Sequence, residues 1–181
     1  MEIFVGCSSS ENIDEKYLKV AQELGTLIGK NNHNLIFGSS EYGLMGEVYR
    51  SVKKSGGEIT AIIPKEYKGF LTDVEADKVI TTGTATDQLK ELVNTGDITI
   101  ILPGSFGVIS ELTTSIHCRK LGEHKKKIFI LNTNGFFDDL LKMFDKMYHE
   151  KFDGYDRNEL FEVVDEPKEI FEILWYNNNC F

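Results

Sequence analysis

Arginine is the scarcest charged residue in this 181-residue chain: only Arg50, Arg119 and Arg157 occur, and the formal net charge at pH 7 is −9. That balance argues against extended nucleic-acid binding and against docking on an anionic membrane surface, since both need a basic face. Cysteine is equally sparse. Cys7, Cys118 and Cys180 are odd in number and widely spaced, with no CxxC pair, so they read as reduced thiols of a cytoplasmic protein. The histidines, His33, His117, His124 and His149, are scattered and read as structural or solvated. No apolar run approaches a membrane span, and the opening MEIFVG is too short and too acidic for a signal peptide. Repeats, linkers and low-complexity stretches are also missing. One domain over residues 1–181 accounts for the length. What these absences leave open is a small anionic ligand held by N–H and hydroxyl donors.

The stretch DITIILPGSFGVISEL, residues 97–112, organises the rest. A β-branched strand over 98–102 stops at Pro103, crosses a turn of Gly104, Ser105 and Gly107, and continues with helical spacing through Val108, Leu112 and Ile116. This places a helix N-terminus at the carboxyl end of a buried strand, where unpaired N–H groups and the helix dipole favour an anion. A phosphate site and an ordinary strand-to-helix turn are both compatible with the turn alone.

Two more units follow the same grammar. A strand at 3–6 ends in Gly6, Cys7, Ser8, Ser9 and Ser10, with Ser10 or Asn12 expected to cap the next helix and Gly29 to begin the turn out of it. A strand at 35–37 ends in Gly38, Ser39 and Ser40, and after Tyr42, Gly43, Leu44, Met45 and Gly46 a helix is expected over 47–54. Further strands are expected at 59–63 before Pro64, 79–82, 128–131 and 161–164, with helices over 84–93, 135–148 and from Pro167. Residues 65–77 read as a polar, mobile flap and 177–179 as a frayed tail. Phe136, Leu140, Met143, Phe144 and Met147 read as one core-facing stripe. Strands spaced by helices imply βαβ crossovers: an α/β, doubly wound domain with a mostly parallel sheet flanked by helices, its polar turns along one edge. In such sheets ligands bind beyond the carboxyl ends of the strands.

The segments GCSSS, FGSSEYGLMG and LPGSFGVISE, in this order and spacing, resemble the Lonely Guy (LOG) family of Rossmann-like nucleotide-binding proteins, whose pattern is a CGSS-type turn, GGG…GLMG and PGGxGTxxE. DDLLKMFDKMYHEKF and DEPKEIFEIL look like that family's closing segments. The resemblance implies a phosphoribohydrolase, usually dimeric, that cleaves the N-glycosidic bond of nucleoside 5′-monophosphates to free base and ribose 5-phosphate. It assigns the phosphate to Gly104, Ser105, Gly107 and Val108, the nucleotide's surroundings to Ser8, Ser9, Gly38, Ser39 and Met45, and the ribose to Glu111 as the catalytic carboxylate. Loss of a base from ribose passes through an oxocarbenium-like state that a carboxylate stabilises, and this chemistry calls for no metal or cofactor. The alternative for Glu111 is an acid complementing the helix dipole.

Several positions differ from the family pattern, the turn Phe37, Gly38, Ser39 and Ser40 in place of YGGG among them. The family's arginine falls on Gln88 and its lysine on Leu89, while Ser105 replaces the second glycine and Val108 the threonine. Glutamine cannot supply a cation. Arg119 is then either a solvated residue of the last helical turn or a cation lent to a site across a dimer interface. Three readings follow: an N-glycosidase, a LOG-like nucleotide or sugar-phosphate binding module without turnover, and an interaction dimer with a vestigial pocket. The lysine decarboxylase label that some relatives carry finds no lysine in a recognisable pyridoxal-phosphate motif here.

Overall fold

The computed structural model describes residues 1–70, 74–154 and 157–179. Seven parallel strands form one sheet: β1 (Glu2–Gly6), β2 (Asn34–Phe37), β3 (Ile59–Pro64), β4 (Lys78–Thr82), β5 (Ile98–Ile101), β6 (Ile128–Leu131) and β7 (Glu162–Val164). Their order is β4-β3-β2-β1-β5-β6-β7, so the chain winds outward from β1 in one direction and returns to continue on its other side. The switch point between β1 and β5 opens a crevice at the carboxyl edge.

Alternation along the strands divides the core. Ile3, Val5, Leu35, Phe37, Ile59 and Ala61 face α1 (Glu15–Lys30) and α2 (Gly43–Lys54), whereas Phe4, Ile36 and Ile62 pack with Leu92 and Val93 of α3 (Ala85–Thr95). Beyond the switch point, Ile101, Ile128 and Ile130 pack with Val108 and Leu112 of α4 (Phe106–Lys120) and Leu141 and Phe144 of α5 (Asp138–His149). Both sheet faces are dry, which explains why β3 is buried at all six positions. The edges are handled differently: β4 is largely exposed and carries Lys78 and threonines, and β7 has only three residues. No helix among the described residues is long and apolar enough to cross a membrane.

The expected strands and helices are present, with displaced ends. Asp14, not Ser10 or Asn12, caps α1 by accepting from the Lys16 N–H at 3.0 Å, because Asn12 lies in the left-handed region (φ 59°) and cannot start the helix. Gly29 belongs to α1 rather than to the turn. A Cβ there would stand 2.5 Å from Ser55 Cβ, and one at Gly25 would stand 2.5 Å from the Val48 carbonyl, so this glycine pair lets α2 lie directly against α1. Residues 65–70 form a 3₁₀ turn, while 71–73, within the expected flap, lie outside the described residues. A short α6 (Arg157–Leu160) was not expected, and α7 (Pro167–Asn179) runs through the expected tail, leaving Cys180 outside the described residues. Cys7 and Cys118 carry free thiols.

The aromatic and methionine stripe is corrected. Phe137, Leu141 and Phe144 face the core, whereas Phe136, Met143 and Met147 are exposed. The helix begins at Asp138, after a 3₁₀ turn over Thr133–Gly135, and it turns Leu141 and Phe144 to the core, which leaves Met143 and Met147 outward.

Arg119 sits near the far end of α4, about 20 Å from that helix's N-terminus at 1.5 Å per residue. Its guanidinium donates to the carbonyls of Glu159 (3.1 Å), Lys125 (3.3 Å) and Lys126, which ties the end of α4 to β6 and α6. This structural clamp replaces the reading of Arg119 as a solvated residue of the last helical turn. Arg119→Ala is expected to cost about 2 kcal/mol. In thermal unfolding with and without nucleotide, the ligand-induced shift should be the same as in the unchanged chain.

Candidate functional site

Backbone hydrogen bonds stitch the three polar turns together. Leu102 N–H donates to Gly6 O (2.9 Å), Ser8 N–H to Pro103 O (3.2 Å) and Met45 N–H to Ser8 O (3.1 Å). The turn after β1 thus serves as the middle rung between those after β5 and β2. Glycine permits this contact: Gly43 has φ +57°, and a Cβ on it would meet Ser10 O at 2.4 Å and Ser8 O at 2.9 Å. The helix expected from residue 47 therefore starts at Gly43, and GLMG is its first turn.

The phosphate turn has a comparable economy of space. A Cβ on Gly104 would stand 2.3 Å from Val108 Cγ2 and 3.2 Å from Ser8 N, whereas nothing lies within 4 Å of one placed on Gly107. Ser105 is the N-cap of α4 in extended backbone (φ −93°), a region open to serine, and its hydroxyl caps no N–H of the first turn. The N-terminus of α4 accordingly has neither a side-chain cap nor an acidic residue in its first turn. Val108 is brought to the turn only by its backbone, because its side chain is buried against Ile101 and Leu112. Its assignment as an anion ligand narrows to its N–H group.

Glu111 follows the first turn and points beneath the end of β1. A Cβ on Gly6 would lie 2.5 Å from Glu111 Oε2, so only glycine at the strand's last position leaves room for this carboxyl. Oε2 is buried and has no hydrogen-bond partner among the described residues. Burial raises the Glu111 pKa to about 8, and both burial and the nearby Glu111 charge raise that of the enclosed Cys7 thiol. Complementing the helix dipole does not explain such a position, since the side chain lies past the first turn and away from solvent.

Gln88 lies near the start of α3. Its amide Nε2 donates to Ile62 O at 2.7 Å and Gly38 O at 3.3 Å, and so fastens the ends of β3 and β2. Ser39, next to it, has φ 67° and a buried hydroxyl without a partner among the described residues. A serine held in the left-handed region with an unpaired hydroxyl carries strain. Ser39→Gly is expected to stabilise the free chain by about 1 kcal/mol, the relieved strain outweighing the added chain entropy. Urea unfolding at constant slope checks it.

Beside these turns opens a cleft of about 260 Å³ lined by Ser8, Ile13, Tyr17, Leu44, Pro103, Gly104, Ser105 and Phe136. Tyr17 and Phe136 meet edge to face with ring centroids 6.1 Å apart, and Lys16 Nζ, paired with Asp14, stands 5.0 Å from the Tyr17 centroid. Sequence reasoning missed Ile13, Tyr17 and Phe136 because they lie just before α1, on α1 and after β6, outside the three turn motifs. Of the expected residues, Ser8, Gly104 and Ser105 line the cleft, Ser9 is exposed on its turn, and Met45 approaches Gly38, its Cε 3.8 Å from a Cβ placed there.

The chain is similar to known proteins. The sequence profile of a family described as possible lysine decarboxylase matches residues 45–174. A probable cytokinin riboside 5′-monophosphate phosphoribohydrolase of Oryza sativa subsp. japonica is 31% identical over 173 residues, covering 95% of this chain and 69% of that protein. A cytokinin riboside 5′-monophosphate phosphoribohydrolase of Arabidopsis thaliana is 34% identical over 151 residues, covering 83% and 71%. Among solved structures, a molybdenum cofactor carrier protein of Chlamydomonas reinhardtii superimposes with a TM-score of 0.74 at 18% identity, covering 97% of this chain and 96% of the other, a likeness of fold. Stitched turns, an uncapped helix, a buried glutamate and relatives above 30% identity along most of their length lead to one statement of kinship: the chain belongs to the LOG family.

Proposed function

We propose that this chain is a nucleoside 5′-monophosphate phosphoribohydrolase, which hydrolyses the N-glycosidic bond to free base and ribose 5-phosphate and works as a cytoplasmic homodimer. The observation that carries this reading is Glu111, a buried carboxyl with an unpartnered oxygen over Gly6, placed one turn behind an uncapped helix N-terminus. The phosphate lies on the N–H groups at the start of α4, where Gly107 leaves open space. The ribose lies toward Gly6.

Burial alters the role that a free carboxylate would have. With its pKa near 8, Glu111 is a neutral acid at pH 7. It gives its proton to the leaving base, a task that the neutral Gln88 cannot take from the family's arginine, and the carboxylate so formed faces the oxocarbenium-like ribose. Water then adds to the sugar carbon and returns its proton to Glu111, which closes the cycle without a metal.

A second reading keeps the ligand and drops the turnover. It is favoured by Gln88, whose amide is already engaged by two carbonyls, and by a cleft lined by no lysine or arginine among the described residues. One experiment separates them: incubation with a panel of nucleoside monophosphates, read by thermal unfolding and by chromatography for free base. A raised midpoint with released base supports hydrolysis, and a raised midpoint without it supports the binding module. No shift at millimolar ligand overturns both.

A further inference from the structure

Gly6 and Gly38 close two neighbouring strands on the same face of the sheet. β1 and β2 run in register with Phe4 beside Ile36, and both of these pack against α3, so the register carried two residues on sets Gly6 beside Gly38. Where each glycine lacks a Cβ, a polar side chain lies instead: Glu111 Oε2 is 2.5 Å from a Cβ placed on Gly6, and Gln88 Nε2 is 3.3 Å from one placed on Gly38. An acid and a carboxamide therefore sit beneath adjacent strands, which stand about 4.8 Å apart. The carboxamide is not free to turn over. Its Nε2 donates to Ile62 O at 2.7 Å and Gly38 O at 3.3 Å, and an oxygen in that place would face two carbonyl oxygens. Oε1 is thus held as an acceptor, and it takes no donor among the described residues. Ser39, next to Gly38, keeps a buried hydroxyl that is equally unpartnered among them.

We infer that Gln88 is a specificity-determining residue whose Oε1 accepts the ribose 2′-hydroxyl, so that the site selects ribonucleotides over 2′-deoxyribonucleotides. The inference rests on the phosphoribohydrolase reading above, with the phosphate at the start of α4 and the ribose over Gly6. β1 lies between β5 and β2. With the phosphate end of the sugar on the β5 side, the opposite edge, which carries C1′ and C2′, is turned toward β2 and Gln88. An acceptor there has little choice of partner. The heteroatoms flanking the glycosidic bond of a common base, N3 and N7 of a purine or O2 of a pyrimidine, are themselves acceptors. The 2′-hydroxyl is the donor next to the carbon that loses the base, and it is the group that distinguishes ribose from deoxyribose. Glu111 then keeps its proton for the base while Gln88 holds the sugar.

Thermal unfolding of the full chain over a concentration series of adenosine 5′-monophosphate, and of its 2′-deoxy analogue, reads both affinities. The ribonucleotide should bind the unchanged chain about tenfold more tightly, the worth of one hydrogen bond. Gln88→Met removes nitrogen and oxygen together. It should bring the two ligands to within about twofold by weakening the ribonucleotide alone, and it should lower the melting temperature. Gln88→Glu keeps an oxygen at Oε1 and loses the Nε2 donor, so it should lose similar stability yet retain the preference. Equal affinities in the unchanged chain overturn the inference, and that result needs no folded variant. So does a preference that survives in Gln88→Met, or one lost in both variants, which would make Gln88 a brace for the ends of β2 and β3 and nothing more. Failure of the unchanged chain to bind either nucleotide overturns the phosphate assignment itself, a result distinct from equal binding of both.

Discussion

Glu111→Gln is expected to abolish base release while making the free protein more stable at pH 8. The catalytic part follows from the loss of the acidic proton and of the carboxylate it leaves behind: glutamine has the shape of the neutral acid but cannot ionise. General acid–base groups contribute about 10²–10⁴-fold, and that is the expected fall in turnover. The stability part follows from linkage. Burial holds the folded pKa of Glu111 near 8, well above the ordinary carboxylate value of 4.5, so folding favours its protonated form. The contribution is complete below the unfolded pKa and is lost as pH rises through about 8. Wild-type stability should therefore decline between those values and level off above them, while the glutamine variant lacks this slope. At pH 8 the variant should be more stable by about 4 kcal/mol, or roughly 8–16 °C in melting temperature for a domain of this size. Calorimetry of both proteins at pH 5 and pH 8 measures the crossover. The same carboxyl sets the rate profile: kcat/KM should be flat below pH 8 and fall tenfold per unit above it. A rate that instead rises through pH 8 would make Glu111 a base in the rate-limiting step.

Gly43→Ala is the substitution expected to damage the fold most for its size. At φ +57° an added methyl meets strain, and it would also stand 2.4 Å from Ser10 O and within 3 Å of Ser8 O and Ser9 C, all backbone atoms that cannot rotate away. The turns after β1 and β2 must separate, which breaks the Met45 N–H to Ser8 O bond. A loss of about 3 kcal/mol is expected, equivalent to a melting temperature lower by roughly 6–12 °C, together with weaker nucleotide binding. Gly56→Ala is the control. Gly56 has φ +90° with nothing within 4 Å of its added carbon, so it carries the conformational cost without the collision. Its expected loss is about 1 kcal/mol, with ligand binding intact. Equal losses at the two positions would show that the turns are not held by the contact at Gly43.

Local spacing was enough to read the alternation of strands and helices, the parallel sheet and the shared edge of the three turns. Pro64, Pro103 and Pro167 lie at or beside element ends as expected, and Val108, Leu112, Ile170 and Leu174 are buried where the helical period put them. These features depend on neighbours in the chain, so periodicity and turn chemistry carry them. Tertiary structure alone decided the start of α2, because the glycine that begins it is held against a turn more than 30 residues earlier. It decided that Gln88 fastens carbonyls 26 and 50 residues away, and that Arg119 clamps backbone carbonyls up to 40 residues away. It also decided the state of Glu111. The motif places a glutamate after the helix's first turn, but its proton affinity comes from the water excluded around it, and that exclusion is a property of the packed β1 edge rather than of any stretch of sequence.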